Sequence, residues 1–302
     1  MINRSEVLAA SETIRGHIRR TPVVDLNGIT LKLELIQHTG SFKPRGTLNK
    51  VLREGCGPEG LIAASGGNHG LAVAYAAKQL GVPAEIFVPT ISSPIKVARL
   101  RSLGASVHVG GSVYAEALLK AQARQAETGA LAIHAYDDPL VIAGQGTVGV
   151  ELHEQAGDLD VVLVAVGGGG LASGIAAYYG SDVQVVAVET EHTNAYAAAA
   201  AAGRPVAGDH VGGPAADSLG ASSIGVLAFD ILRTNQVPSV LVSDRWVLTT
   251  QQMLWTDFHL VVEPGGAAAL AAVLSGAYVR DESRKIGVVV CGSNTDPLGV
   301  IA

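Results

Sequence analysis

The chain is poor in the residues that mark several large classes of protein. It has two cysteines in 302 residues, Cys56 and Cys291, and neither belongs to a CxxC pair. That excludes a disulfide framework and a paired-cysteine metal knuckle. Charged residues are only 16% of the chain, and the net charge of −6 comes with no run of lysine or arginine. Nucleic acid and acidic membrane surfaces are therefore not expected as partners. No run of about 18 apolar residues is free of polar interruption. The N-terminal MINRSEVLAASETIRGHIRR has no uninterrupted apolar core of the kind a signal peptide needs. A soluble, cytoplasmic protein acting on a small molecule is the expectation.

Glycine is abundant, at 37 residues, within a composition that is 48% hydrophobic. This suits a packed α/β protein and is too apolar for a disordered chain. Short apolar runs alternate with helical ones. LIAAS (61–65) precedes GGNHGLAVAYAAKQLG, AEIFVP (84–89) precedes PIKVARLRSLG, and SVHVG (106–110) precedes SVYAEALLKAQARQAETG. Each helix is expected to stop at a glycine, Gly81, Gly104 or Gly129. LAIHAY (131–136) reads as a further strand, with a helix starting near Val141.

A second series runs from DVVLVAV through VQVVAVE (183–189) and the alanine-rich helix AYAAAAAAG (195–203). Residues 204–224 read as a loop and VLAFDILRTN as a helix. SVLVSD reads as a strand whose Asp244 caps the helix RWVLTTQQMLWTDF. A helix from Gly266 to Ser275 and a strand KIGVVVC (285–291) follow. The pattern predicts two parallel α/β layers: residues 45–137 as a small domain, and 1–44 with 138–302 as a large one. A cleft between them is the default site. No C-terminal regulatory domain is expected.

Four segments at strand ends carry the chemistry. Gly167–Gly170, with Leu171, follow an apolar strand and open a helix, where free N–H groups can cradle a phosphate. A tight turn is the plain alternative. A dinucleotide site would need GxGxxG, but Ala172 or Ser173 stands at its last position; Glu189, about 20 residues on, is where a ribose-binding acid would stand. A monophosphate suits the cradle better. ASGGNHG (64–70) groups Ser65, the Gly66 and Gly67 amides, Asn68 and His69 into a nest for a carboxylate, although a cap by Ser or Asn explains part of it. His69 is expected to be structural or supporting. VVEPGG (261–266) and CGSN (291–294) also lie where parallel sheets gather ligands. Cys291 there is either inert filler or a thiol facing a ring nitrogen.

Lys43 stands in GSFKPRG (40–46), between Phe42 and Pro44. A solvated lysine, like Lys50 or Lys78, needs no such frame. A rigid φ at Pro44 with flexible Gly40 and Gly46 suits an amine anchored by a fixed backbone. A phosphate cradle, a carboxylate nest and an isolated lysine together suggest pyridoxal 5'-phosphate.

On these motifs the chain resembles the fold type II pyridoxal-phosphate enzymes, in the serine/threonine dehydratase branch that also holds serine racemases. The resemblance runs from RRTPV near the N-terminus to CGSNTDP (291–297). It implies a tryptophan synthase β-like α/β fold, with two open parallel-sheet domains, the cofactor in the cleft and a homodimer. Lys43 matches the covalent cofactor lysine and Asn68 the neighbour of the phenolic oxygen. Gly167, Gly168, Gly169, Gly170 and Leu171 match the phosphate loop, Glu263 the acid near the ring, and Cys291 the partner of the pyridine nitrogen. Ser65, Gly66, Gly67, Asn68 and His69 match the loop for the substrate carboxylate, with Lys43, Ser65 and Asn68 as the catalytic set.

Two departures sharpen this expectation. Gly66 stands where racemases carry an acid–base serine, which argues against racemisation. Relatives that bind a divalent cation use a glutamate like Glu189 with an aspartate six residues on; here that position is Ala195. A cation is the doubtful case, and no metal site is expected. The implied activity is elimination of water from L-serine or L-threonine, giving pyruvate or 2-oxobutanoate and ammonia. The alternatives are a dehydratase for another β-hydroxy amino acid such as 3-hydroxyaspartate, for which Arg45 or a lysine would have to face the pocket, or a serine racemase. Residues 134–138 and 212–219 are expected to set pocket size.

Overall fold

A computed structural model of the chain describes residues 2–208 and 211–301. Helix α1 (Arg4–Thr13) starts from a reciprocal cap: Asn3 accepts from Ser5 and Glu6 N–H groups, while Glu6 accepts from Asn3 N–H. Strands β1 (Val23–Leu26) and β2 (Ile29–Leu33) form an antiparallel pair. Helix α2 (Lys43–Glu54) begins at Lys43, with Pro44 in its first turn, where a missing N–H removes no helical bond.

The small sheet is built from βα units as the alternation predicts. β3 (Leu61–Ala64), α3 (Asn68–Leu80), β4 (Ala84–Val88), α4 (Pro94–Ser102), β5 (Ser106–Val109), α5 (Tyr114–Thr128) and β6 (Leu131–Ala132) follow in turn. The strands lie parallel in the order β5-β4-β3-β6. β3 is buried along its whole length, whereas the edge strand β5 is mostly exposed. Helices α3 and α5 close on left-handed Gly81 and Gly129.

β6 is two residues long, not the six of LAIHAY. Beyond it, His134 Nδ1 accepts from Tyr136 and Asp137 N–H groups and turns the chain out of the sheet. Asp138 then caps α6 (Pro139–Gln155) by accepting from Leu140 and Val141 N–H groups, so the helix starts two residues before Val141.

The remaining elements are β7 (Val161–Ala165), α7 (Gly170–Tyr179), β8 (Gln184–Thr190), α8 (Ala195–Ala202), α9 (Ala216–Leu219), α10 (Val226–Thr234), β9 (Ser239–Val242), α11 (Asp244–Phe258), α12 (Pro264–Leu274), β10 (Ile286–Val290) and α13 (Leu298–Ile301). The large sheet has the order β1-β2-β10-β7-β8-β9, parallel except for β1 at its edge. Residues 204–224 are not all loop, because α9 lies within them; Asp209 and His210 lie outside the described residues. Asp244 is not a cap: Ser243 precedes the helix, and the Asp244 carboxylate pairs with His192 Nδ1 at 2.7 Å. α12 begins at Pro264 rather than Gly266.

Three apolar clusters result, one around the large sheet and two around the small one, and Leu48 and Val51 of α2 and Val141 of α6 belong to the larger of those two. α2 and α6 cross in backbone contact. A Cβ on Gly144 would fall 2.6 Å from Arg45 O and from Gly46 Cα. One on Gly46 would fall 2.6 Å from Val141 O and 2.5 Å from Gln145 Nε2. Gly46 is therefore not a flexible hinge; it is buried in α2, and its small size permits the crossing. No helix of the described residues is long and apolar enough to cross a membrane.

Candidate active site

The carboxyl ends of the two sheets face one pocket. Lys43, Asn68, Gly167–Gly170, Leu171, Glu263 and Cys291 all line it. These residues come from five separated stretches of sequence, and the fold gathers them because each lies just past a strand or at a helix start.

Lys43 enters from the first position of α2. Its Nζ donates to Ala135 O at 2.7 Å and lies 5.1 Å from the centroid of the Phe42 ring. Burial lowers its pKa to about 8, against the opposing pull of Cys291 and Glu263. An amine in that range is partly neutral near physiological pH and can act as nucleophile or base.

The glycine run lines the same pocket. Gly169 sits at φ +90° and precedes α7, whose start has no side-chain cap, so first-turn N–H groups are free for an outside acceptor. A side chain added here would have to displace its neighbours. A Cβ on Gly168 would land 2.3 Å from the Tyr136 ring, and one on Gly167 would lie 3.0 Å from Leu219 backbone. The cradle, with its uncapped helix start, and the amine fit pyridoxal phosphate: an anion site and a lysine share one pocket.

Glu263 holds the floor together. It is 3% exposed, accepts from Asn68 Nδ2 at 2.7 Å and from Asn294 N–H at 3.1 Å. Burial pushes its carboxyl up to about 7, with the Asn68 and Asn294 bonds opposing. Cys291 is buried beside it, its Sγ donating to Gly265 O at 3.5 Å, and burial holds the thiol well above its usual range. The protonated, neutral form is the stable one. Gly292 has to be glycine, since a Cβ there would meet Glu263 Oε1 at 1.9 Å.

Of the expected carboxylate loop only Asn68 lines the pocket; Ser65, Gly66 and Gly67 do not. Ser65 Oγ accepts from Gly67 N–H at 3.2 Å. Gly66 leaves limited room, since a Cβ would come 3.3 Å from Ser92 Oγ. His69 does not line the pocket. Its Nε2 pairs with Ile133 O at 2.9 Å, and burial followed by the Lys43 charge drives its pKa down to about 3, so it is a neutral tie between α3 and the segment before Tyr136.

Three contributors escaped sequence reasoning. Asn294 Nδ2 donates to both Asn68 Oδ1 and Thr39 O, tying the start of α3 and the turn before Lys43 to the segment after β10. Ser218 Oγ accepts from Gly265 N–H at 3.0 Å, and the Tyr136 ring lies against the cradle. The only sequence signal was position: Asn294 in CGSN, and Tyr136 and Ser218 in the segments expected to set pocket size.

Glu189 is neither a ribose partner nor available to a cation. It is fully buried, and its two oxygens accept from Tyr196 and Ala197 N–H groups at 2.6 and 2.8 Å, so it caps α8. Burial raises it to about 7 against those bonds. Nearby, Glu191, His192 and Asp244 bring one ligand atom each within 4.8 Å of one another, a geometry that a cation could use. Arg45, two residues after Lys43, is completely buried and paired, so it cannot meet a substrate carboxylate.

Comparison with known proteins finds similarity over nearly the whole chain. The model of the pyridoxal-phosphate dependent enzyme family matches residues 14–292. An L-threonine ammonia-lyase from Thermotoga maritima is 36% identical over 98% of this chain and 76% of its own length. Among solved structures, a T.th. threonine deaminase superposes with a TM-score of 0.91 at 38% identity, covering 97% of this chain and 99% of that one. Maize serine racemase gives the same TM-score at 30% identity, over 97% and 94% of the two chains.

Proposed function

The chain belongs to the pyridoxal-phosphate-dependent enzymes, and on that premise we propose that it eliminates water from L-serine or L-threonine, releasing a keto acid and ammonia. The observation that carries this is Lys43: an amine depressed to about 8, sharing with a glycine cradle a pocket floored by Glu263 and a neutral Cys291. Lys43 would hold the cofactor covalently, the Gly167–Leu171 amides its phosphate, Asn68 its ring oxygen and Cys291 its ring nitrogen. Bound there, the cofactor supplies an electron sink conjugated to the substrate α-carbon.

The chain's own groups then divide the work. Ser65 and the amides of the 65–69 loop hold the substrate carboxylate, which turns the Cα–H bond toward Lys43. Neutral Lys43 Nζ takes the α-proton as general base. Gly66 has no side chain to return a proton on the opposite face, which supports elimination over inversion. With the cofactor bound, a neutral Cys291 thiol would offer its ring nitrogen no countercharge, which suits a reaction in which the proton taken by Lys43 leaves with the β-hydroxyl as water. Among the described residues lining the pocket, Lys43 is the one cation. Arg45 is fully paired, and Lys96 at the rim pairs with Asp217 at 2.8 Å. Among the described residues lining the pocket a second substrate carboxylate has no further cation to meet, which argues against 3-hydroxyaspartate.

The proposal includes the division of labour expected from the sequence: residues 45–137 close over the substrate, and 1–44 with 138–302 hold the cofactor. It also includes a cytoplasmic homodimer, which two free cysteines suit. Release of keto acid and ammonia, measured across L-serine, D-serine, L-threonine and 3-hydroxyaspartate, tests the activity. L-serine or L-threonine should dominate; D-serine turned over as fast as L-serine, or no keto acid from any of them, would sink it.

A further inference from the structure

Beneath the first turn of α2 lies a closed lattice of four buried charges. Arg45, Lys32 and Glu34 are completely buried, and the Glu151 side chain is 11% exposed. The Arg45 guanidinium grips Glu34 in a two-pronged pair, Nε to Oε2 and Nη2 to Oε1, both at 2.7 Å. Its Nη1 donates to Glu151 Oε1 at 2.9 Å and to Thr147 Oγ1 at 3.2 Å. Lys32 Nζ uses all three donors, on Glu151 Oε2 and Thr21 O at 2.7 Å and on Gln155 Oε1 at 2.8 Å. Two cations meet two anions, and β2, the segment after it, α2 and α6 are joined at one point.

Stability alone is a poor explanation for such a lattice. Burying ions is costly, and apolar side chains of similar volume commonly hold a fold as well or better. What apolar packing lacks is direction. The glycine contact between α2 and α6 sets how closely the helices approach and which face of α2 meets α6, and Asn49 Nδ2 on Leu140 O at 2.7 Å holds the following turn, but neither ties the opening turn to β2. The first large apolar anchors of α2, Leu48 and Val51, come a full turn after Lys43. In the opening turn, the forked Arg45 pair is the group with a fixed orientation. Residues two apart on a helix project about 200° from one another. Arg45 thus anchors one side of the turn while Lys43 projects from the other.

We propose that Arg45 is a positioning residue for Lys43: through Glu34 and Glu151 it sets the rotation of the opening turn of α2 and so aims the Lys43 amine at the pocket. Arg45 touches neither substrate nor cofactor in this role. The inference rests on Lys43 being the cofactor-binding amine, and the experiment keeps the two claims apart.

The decisive variant is Arg45→Met combined with Glu34→Leu, which removes the fork and leaves Lys32 and Glu151 as a balanced pair. The thermal midpoint should stay close to that of the parent chain. The apoprotein should capture pyridoxal phosphate at Lys43 about tenfold more slowly or worse, and kcat of the holoenzyme should fall on the order of 10²-fold with KM little changed, as for a misaimed group. Parental capture rate and kcat would overturn the proposal. So would a double variant that cannot fold, because the lattice would then be holding the structure rather than the aim. Arg45→Lys keeps the charge but not the fork, and should slow capture while the chain still folds; an unchanged capture rate counts against the proposal. Borohydride reduction of the parent holoenzyme, followed by peptide mass mapping, tests the premise separately. An unlabelled Lys43 removes the functional reading itself, whereas a labelled Lys43 with an indifferent Arg45 removes only this inference.

Discussion

Lys43 and Arg45 are two cations in the same helical turn, and the fold treats them in opposite ways. Arg45 is sealed among carboxylates, and Glu34 and Glu151 hold its guanidinium charged despite its burial. Lys43 has no carboxylate bonded to it among the described residues; burial wins there and lowers its pKa to about 8. The difference shows that burial by itself does not create a reactive group. Burial with a matched partner makes a strut, and burial without one makes a base.

Breaking the pocket side should have the largest effect. Lys43→Ala should lower turnover by at least about 10⁴-fold, since both the covalent anchor and the general base go. Its thermal midpoint should barely move, because no ion pair is lost. Retained activity would erase the contrast altogether. The strut side should respond in the opposite sense. Arg45→Met alone strands the buried Glu34 carboxylate, while Glu151 keeps Lys32, and should cost about 3–5 kcal/mol of stability in a denaturant titration; a cost below about 1 kcal/mol would mean that the lattice is not a strut.

A third test sharpens the pocket side through pH. Capture of pyridoxal phosphate by the apoprotein needs a neutral Lys43 amine, so its rate should rise with pH and level off above about 8. A midpoint near an ordinary lysine value, about 10.4, would show that burial has not neutralised it. Stability carries the matching sign. Between about 8 and the unfolded value, the unfolded chain binds more protons than the folded one at this site, so its contribution to stability improves as pH rises through that window and is absent below it. The smallest effect expected is at Gly168. An alanine there must displace the Tyr136 ring, with a loss of about 1–3 kcal/mol, and phosphate affinity should fall while the Arg45 lattice stays intact.

Much of this architecture was legible in the sequence, for local reasons. β3, β4, β7, β8 and β10 are short apolar runs because strands covered on both faces contact only apolar neighbours. α2 was less legible, since Pro44 and Gly46 look like breakers until Pro44 is seen in the first turn and Gly46 against Gln145. Residues 133–136 look like a strand, but their polar groups are taken by the turn around His134. Glu189 and Glu263 show the same limit at the site. Both end apolar runs and both are raised to about 7 by burial, yet one caps α8 and the other floors the pocket.

Taken alone, the sequence determined the chemical parts. A glycine run can only be a place without Cβ atoms, a framed lysine carries an amine, and Gly66 has no proton to give; these follow from covalent structure and survive any fold. Tertiary structure decided which parts are charged, paired or aimed. The Asn68–Glu263 bond spans 195 residues and the Arg45–Glu151 pair 106. Proton affinity depends on burial and on the distance to the next charge, and neither distance exists until the chain has folded.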